Sequence, residues 1–277
     1  MARLVVGLEY DGAPFCGWQS QRGGCGVQDA AQRALSPANG SPPIVHAAGR
    51  TDAGVHAALQ IAHFDAAVSR PPEMWRRAAN ARLPRQIRML WAHPAPPDFH
   101  ARHSAVRRFY QYIVVSRPVS PALMGGFAAF CPSPPSPEKM REGAARLLGR
   151  RDFSAFRAAS CQAKTPLRTI YEAEVRRRGE LIIFDFCADG FLHKMVRNIV
   201  GALLQIGRNG RGPEWIEELL RNKTRADCPP PAPPSGLYFT GAEYSPPFAP
   251  PETRRLPFFS PPFARSRKSE IPNGNAN

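Results

Sequence analysis

The clearest strand signal in the sequence is RFYQYIVV, residues 108–115. Aromatic and β-branched residues of this kind favour an extended, half-buried chain. Because side chains alternate across a strand, Arg108, Tyr110 and Tyr112 share one face of it. Shorter apolar runs, bounded by Gly, Pro or Asp-Gly turns, recur on both sides and predict further strands separated by helices.

Two successive sets of elements follow from these signals. The first set has strands at 4–9, 44–48, 60–64 and 87–92 and helices at 27–35 and 72–81. The second has strands at 108–115, 168–175, 181–186 and 237–244 and helices at 137–148, 191–206 and 213–221. This order predicts an α+β fold of two halves, 1–104 and 105–245. A Pro- and Arg-rich tail at 246–277 follows; three interpretations are open, that it lies along the fold, that it binds RNA, or that it has neither role.

The composition is strongly basic. The 277 residues include 37 Lys and Arg but only 22 Asp and Glu, which gives a formal net charge of +15. Such an excess predicts an anionic partner, most often nucleic acid bound through its phosphates. Only five of the 37 basic residues are Lys, so an Arg-rich composition without an RNA partner is the alternative interpretation.

Several classes of protein are excluded by what the sequence lacks. It contains no apolar run of membrane-spanning length and no signal-peptide core. The six cysteines form no CxxC pair, and neither HExxH, a P-loop nor GxGxxG occurs. We therefore expect a cytoplasmic protein with reduced cysteines, no metal ligands and no cofactor.

The densest polar motif is AGRTDAGVH, residues 48–56. Arg50 and Asp52 lie between two glycines at a predicted strand end, where glycine permits close approach of a ligand. A guanidinium two residues away keeps a carboxylate ionised, and an ionised Asp can act as nucleophile or general base. The alternative is ordinary turn chemistry, for which Thr-Asp-Ala-Gly is equally typical.

The 108–115 strand carries a second candidate site. Tyr110 and Tyr112, beside Arg108, offer a platform on which an unpaired base can stack. A cross-strand aromatic cluster on the sheet surface would have the same pattern.

The helix predicted at 191–206 carries a third candidate. One stripe is apolar, and His193, Lys194, Arg197 and Gly201 lie on the other. A basic stripe beside a glycine suits contact with a phosphate or with Asp52. A solvated helix face is the alternative interpretation.

Six motifs occur in order between residues 4 and 244. They are YDGxxFxGWQ at 10–19, GRTDAGVH at 49–56, FHAR at 99–102, RxYxY at 108–112, MVRN at 195–198 and GLY at 236–238. Together they resemble the bacterial tRNA pseudouridine synthase A family, and their joint order is highly specific.

This resemblance implies a cofactor-free isomerase that converts uridine to pseudouridine at tRNA positions 38, 39 and 40, in the anticodon stem-loop, and acts as a homodimer. It implies two ferredoxin- or RRM-like halves that share a central antiparallel sheet, with the active-site cleft between them. The family's catalytic nucleophile falls on Asp52, its active-site Tyr on Tyr110 and the basic partner of the Asp on Arg197. Arg50 is a further substrate-binding candidate, able to fill the space that a flipped base vacates.

Two other classes of protein share some of these features. A non-catalytic RNA-binding protein explains the charge and the Tyr pair, but not the Arg50-x-Asp52 loop. A glycosidase-like hydrolase would release free uracil, and it usually needs two carboxylates. For the isomerase, three roles of Asp52 stay open: attack at C1′, attack at C6, and removal of a sugar proton.

Overall fold

A computed structural model describes residues 2–257 and residue 259. Within them, ten strands form one sheet in the order β4-β1-β3-β10-β5-β9-β8-β7, with β2 paired to β3 and β6 to β5. The strands are β1 Ala2–Tyr10, β2 His46–Ala47, β3 His56–Ala66, β4 Ile87–Ala95, β5 Ala105–Ser116, β6 Ala129–Cys131, β7 Gly149–Asp152, β8 Leu167–Arg178, β9 Leu181–Ala188 and β10 Leu237–Tyr244.

Five α-helices accompany this sheet in the described part of the chain: α1 Val27–Asn39, α2 Pro72–Asn80, α3 Pro137–Ala145, α4 Met195–Gly207 and α5 Trp215–Asn222. Helix α1 contacts α2, and α3 contacts α4. Helix α2 also packs on β4, and α3 packs on β8. The main core between sheet and helices contains large side chains that are almost completely buried, among them Trp18, Phe64, Trp75, Phe184 and Phe239.

The centre of the sheet joins the early and the late strands of the chain. There β10 pairs in parallel with β3, with Tyr238 opposite His56, and antiparallel with β5. Most other pairings are antiparallel, so the prediction of an α+β fold around one mostly antiparallel sheet is confirmed. The internal similarity of residues 1–104 and 105–245 stays a prediction. The start of β3 lies two strands from β5 in the sheet. This fixes the position, relative to β5, of the loop that precedes β3.

Some predicted boundaries are wrong. Helix α1 continues through Pro37, which lies in its last turn, and Gly40 ends it with a φ of 85°. The helix predicted from residue 191 begins only at Met195, because Lys194 has a left-handed backbone with a φ of 60°. His193 and Lys194 therefore lie in a loop. The short strands β6 and β7 were not predicted.

The expectation of six reduced cysteines is wrong for one pair. Cys16 and Cys25 form a disulfide with a Cα–Cα distance of 5.5 Å. The glycine-rich connector at 23–26 folds back so that the Cys16 N–H donates to the Cys25 carbonyl, which brings the two thiols together. The other four cysteines are free.

The first part of the predicted tail lies along the fold. Phe248 packs against Phe99, with ring centroids 4.4 Å apart, and the Arg255 N–H donates to the Thr240 carbonyl at 2.9 Å. Residues 260–277, which include much of the tail's basic charge, lie outside the described residues. Among the helices of the described chain, none combines the length and apolar character that crossing a membrane requires.

Candidate active site

Asp52 lies in the loop between β2 and β3, and the chain just before it is anchored at Gly49 and Thr51. The Trp18 N–H donates to the Thr51 carbonyl at 3.0 Å, and the Gln60 side chain donates to the Gly49 carbonyl at 2.7 Å. The Tyr10 hydroxyl shares a 2.8 Å hydrogen bond with the Thr51 hydroxyl. Burial raises the pKa of Tyr10 to about 12, so this hydroxyl keeps its proton. These contacts hold the backbone of the loop and do not involve the Asp52 side chain, which can therefore bind other groups.

Two glycines of the YDGxxFxGWQ motif make this packing possible. A Cβ on Gly17 would lie 2.5 Å from the Thr51 carbonyl oxygen, and Gly17 has a φ of +96°. A Cβ on Gly12 would lie 1.9 Å from the Val55 carbonyl oxygen. Any larger residue would therefore push the Asp52 loop away from the segment that follows β1.

Arg197, in the first turn of α4, is the closest cation to Asp52. Its Nη1 donates to Asp52 Oδ2 at 3.1 Å. Its Nε donates to the Ala232 carbonyl at 2.8 Å, and the Ala232 N–H returns a hydrogen bond to the Arg197 carbonyl at 3.0 Å. The proline-rich segment at 229–234 therefore fixes the guanidinium that faces the carboxylate.

A second basic residue reaches the same carboxylate. Nε2 of His193 lies 3.3 Å from Asp52 Oδ1. Its other ring nitrogen, Nδ1, is hydrogen-bonded to the Ser160 hydroxyl at 3.1 Å. The sequence singled out His193 only as part of a helical stripe. Its place beside Asp52 depends on the loop that precedes Met195, for which the sequence has no clear signal.

Tyr110 lines the same cleft from β5. Its ring packs edge-on against Phe191 and Phe239, with centroids 5.0 Å and 5.1 Å away. Its hydroxyl lies 3.5 Å from the Arg50 carbonyl. Burial, followed by the Asp52 carboxylate, raises the pKa of Tyr110, so the phenol stays protonated.

The predicted platform of two tyrosines is wrong in part. Tyr112 lies on the same strand face, but it is fully buried and its hydroxyl donates to the Pro233 carbonyl at 2.7 Å. Arg108 lines the cleft while its guanidinium donates to the Ala105 and Asp189 carbonyls. Tyr110 is therefore the tyrosine of this motif that a substrate can meet.

These residues surround a cleft of about 1240 Å³. Its walls come from the Asp52 loop on one side and from the segments 160–163 and 189–197 on the other. Arg50 is exposed on its wall, and in the described part of the chain it forms no ion pair with Asp52. The lining is strongly basic, through Arg50, Arg102, Arg108, Arg168, Lys194 and Arg197, against Asp52 and Asp189.

The chemistry of this cleft is that of a carboxylate between two basic groups. In the described residues, no group of three or more His, Cys, Asp or Glu side chains is arranged to hold a metal ion. The basic walls suit a polyanion, and the Tyr110 ring offers an apolar surface beside the carboxylate. This arrangement fits an enzyme that acts on a nucleotide within a nucleic acid.

Comparison with known proteins identifies the class. Residues 3–104 and 144–245 match the profile of a family described as tRNA pseudouridine synthase. The chain belongs to this family, whose members are isomerases.

Several relatives share most of their length with the chain. The chain is 48% identical over 259 residues to tRNA pseudouridine synthase A of Thiobacillus denitrificans, which covers 93% of this chain and 100% of the relative. It is 51% identical over 242 residues to the protein of the same name from Methylobacillus flagellatus, covering 87% and 93%. The corresponding protein of Dechloromonas aromatica is 50% identical over 244 residues, covering 88% and 93%.

Proposed function

We propose that this chain isomerises uridine to pseudouridine at positions 38, 39 and 40 of the tRNA anticodon stem-loop, with Asp52 as the nucleophile. The observation that carries the proposal is the Asp52 carboxylate, held by Arg197 at 3.1 Å in a basic cleft beside Tyr110. The family and the names of the relatives support the reaction and the tRNA substrate. The uridine positions rest on the resemblance of the motifs.

The reaction matches the groups that the cleft offers. The bond from C1′ to N1 breaks, the uracil turns, and C5 bonds to C1′. N1 gains a proton and C5 loses one, so the reaction consumes no outside reactant and changes no oxidation state. One carboxylate that forms and then releases a covalent bond to the nucleoside is sufficient for this exchange. The hydrogen bond from Arg197 orients that carboxylate.

The target uridine has to leave its stack to reach Asp52. In the proposed complex Tyr110 packs on the flipped uracil, and unstacking is least costly in a loop or at a stem end. The exposed Arg50 side chain lies on the cleft wall, where it can occupy the space that the base vacates. Phosphates of the anticodon arm then contact the remaining basic residues of the wall.

The assembly that we propose is a homodimer with tRNA bound across both subunits. A formal charge of +15 per chain makes phosphate contacts the main source of affinity. Affinity for tRNA should therefore fall steeply with salt, and an isolated anticodon stem-loop should react more slowly than full tRNA. A tRNA substrate supports our proposal that the reaction takes place in the cytoplasm.

Mapping of pseudouridine in unmodified tRNA, incubated with the pure protein and no additives, tests the function. We expect new pseudouridine at positions 38, 39 and 40 wherever these are uridine, and no free uracil. Free uracil would favour a hydrolase, and tRNA that is bound but unchanged would favour a non-catalytic RNA-binding protein. Modification elsewhere in the tRNA would contradict the proposed positions and leave the reaction intact.

A further inference from the structure

Asp52 has a different partner on each of its carboxylate oxygens. Oδ2 accepts from Arg197 at 3.1 Å, and Oδ1 faces His193 Nε2 at 3.3 Å. The Asp52 side chain is 19% exposed, so the two partners leave part of the carboxylate open to the cleft. An arginine alone would leave rotation about the terminal carboxylate bond unrestricted, whereas a donor on each oxygen sets its plane.

The position of His193 is fixed by the segment around Cys161. The Ala158 N–H donates to the His193 carbonyl at 3.0 Å, and the His193 N–H points to the Cys161 sulfur at 3.4 Å. The left-handed backbone of Lys194 then turns the chain into α4. The histidine therefore lies in a loop with contacts on both sides, although its side chain is 38% exposed.

The Ser160 hydroxyl is placed to favour one of the two neutral tautomers of the His193 ring. It lies 3.1 Å from Nδ1 and can donate to it. When Nδ1 accepts this hydrogen bond, the proton of the neutral ring is on Nε2, which is the nitrogen that faces Asp52. Ser160, His193 and Asp52 thus form a chain in which each group sets the orientation of the next.

We propose that His193 is a positioning residue for the isomerisation: Ser160 holds its Nε2–H toward Asp52 Oδ1, and together with Arg197 it aims the carboxylate at the target nucleoside. This inference rests on the proposed function of Asp52. The separation of 3.3 Å is at the long end for a hydrogen bond, and contacts of this kind at catalytic sites often tighten when a substrate binds. The role of His193 is to orient the Asp52 nucleophile and leaves the proposed covalent chemistry to Asp52.

Two amide substitutions separate this role from a purely structural one. The amide nitrogen of Gln can take the place of Nε2, whereas Asn reaches only as far as Nδ1. His193→Gln should therefore keep a donor on Asp52, and His193→Asn should keep only the contact with Ser160. Single-turnover release of tritium from C5-labelled tRNA, at saturating enzyme, measures the chemical step, while filter binding measures tRNA affinity.

We expect His193→Asn to slow the single-turnover rate by about 10- to 100-fold, the loss typical of one hydrogen bond to a charged group. His193→Gln should stay within about fivefold of the wild type, and Ser160→Ala should fall between them because Nε2–H is then less favoured. Affinity for tRNA and the melting temperature should change little in all three. His93→Gln, which alters an exposed histidine on β4 outside the cleft, is the matched control and should behave as the wild type.

An Asn variant as fast as the Gln variant would overturn the inference, as would wild-type rates in both. If His193→Asn does not fold, Ser160→Ala decides, since a wild-type rate there removes the proposed tautomer control. Asp52→Ala is measured alongside: an active Asp52→Ala protein refutes the proposed function itself. A dead Asp52→Ala protein with unaffected His193 variants refutes only the role of His193.

Discussion

Two aspartates of this molecule lie on opposite faces of the same sheet, and each is held by basic side chains. Asp52 faces Arg197 and His193 in the cleft. Asp185, on β9, pairs with Arg176 and lies on the face away from Tyr110, because it is opposite Gln111 in the neighbouring strand. Their charges and the types of partner are similar, so these features alone do not distinguish a catalytic from a structural carboxylate.

The difference lies in how fully the oxygens are occupied. Asp185 accepts from Gln111 on Oδ1 at 2.8 Å and from two nitrogens of Arg176 on Oδ2 at 3.1 Å and 2.9 Å, with Arg254 3.6 Å from Oδ1. It is completely buried. Asp52 has one close partner per oxygen and remains 19% exposed in a large cleft. Access for a substrate, and not ion pairing, marks Asp52 as the candidate for chemistry.

The largest effect that we expect is on the chemical step. Asp52→Asn should lower the rate of tritium release from C5-labelled tRNA by at least about 1000-fold, because an amide cannot act as the nucleophile. Asp185→Asn, the matched variant, should stay within about threefold of the wild type once folded protein is compared. Activity of Asp52→Asn within tenfold of wild type would remove its assignment as nucleophile.

The same two variants should rank in the reverse order in their effects on stability, with the larger effect now at Asp185. Asp185→Asn leaves the Arg176 guanidinium beside a buried amide, and removal of one partner of a buried pair costs about 3–5 kcal/mol. We expect about 3 kcal/mol, the lower end, because the Arg176 side chain is 28% exposed. Asp52→Asn should change the free energy of unfolding by less than about 1 kcal/mol. Urea denaturation followed by circular dichroism measures both, and equal losses would contradict the contrast between the two sites.

Sequence patterns predict one of these aspartates and miss the other for a physical reason. Asp52 follows an arginine and lies between two glycines, so its motif already indicates a loop with a charged residue near a ligand. Asp185 lies within a run of apolar strand residues, LIIFDFCA, and only the register of β5 against β9 reveals Gln111 as its partner. Register depends on pairing between distant segments, which the local sequence does not encode.

The same limit applies within the cleft. Arg197 is 145 residues from Asp52, and their contact depends on the central β3–β10 pairing. The sequence offered contact between the basic stripe and Asp52 as one interpretation, and only the family resemblance paired Arg197 itself with Asp52. The sequence did not single out His193 within that stripe, and it predicted a helix through residue 193, whereas the left-handed Lys194 places His193 in the loop before α4. Such a backbone at lysine has no sequence signal comparable to glycine.

A smaller effect on the rate should come from Tyr110, which lies on the cleft face of β5. If its ring packs on the uracil, Tyr110→Phe keeps the stacking surface and Tyr110→Ala loses about 1–3 kcal/mol of it, equivalent to roughly 5- to 150-fold in rate. Single-turnover kinetics on the same labelled tRNA measures both variants. Phe109→Leu, on the opposite face beside Arg254, is the control and should leave the rate unchanged. A Phe variant as slow as the Ala variant would instead assign the role to the hydroxyl, which the buried, protonated phenol can supply.

The smallest effect should come from the segment that covers Asp185. Arg254 lies 3.6 Å from Asp185 Oδ1, 3.9 Å from Glu172 and 4.8 Å above the Phe109 ring, and these three distances exceed the 2.9 Å ion pair between Arg176 and Asp185. Arg254→Gln should therefore lower the free energy of unfolding by only about 1 kcal/mol, a typical value for a partly exposed cation over an aromatic ring. The rate on tRNA should not change, because Arg254 and the other described residues after Tyr244 do not line the cleft. A loss of activity at unchanged stability would show that the two faces of the sheet are coupled, and the separation of a structural from a catalytic aspartate would then fail.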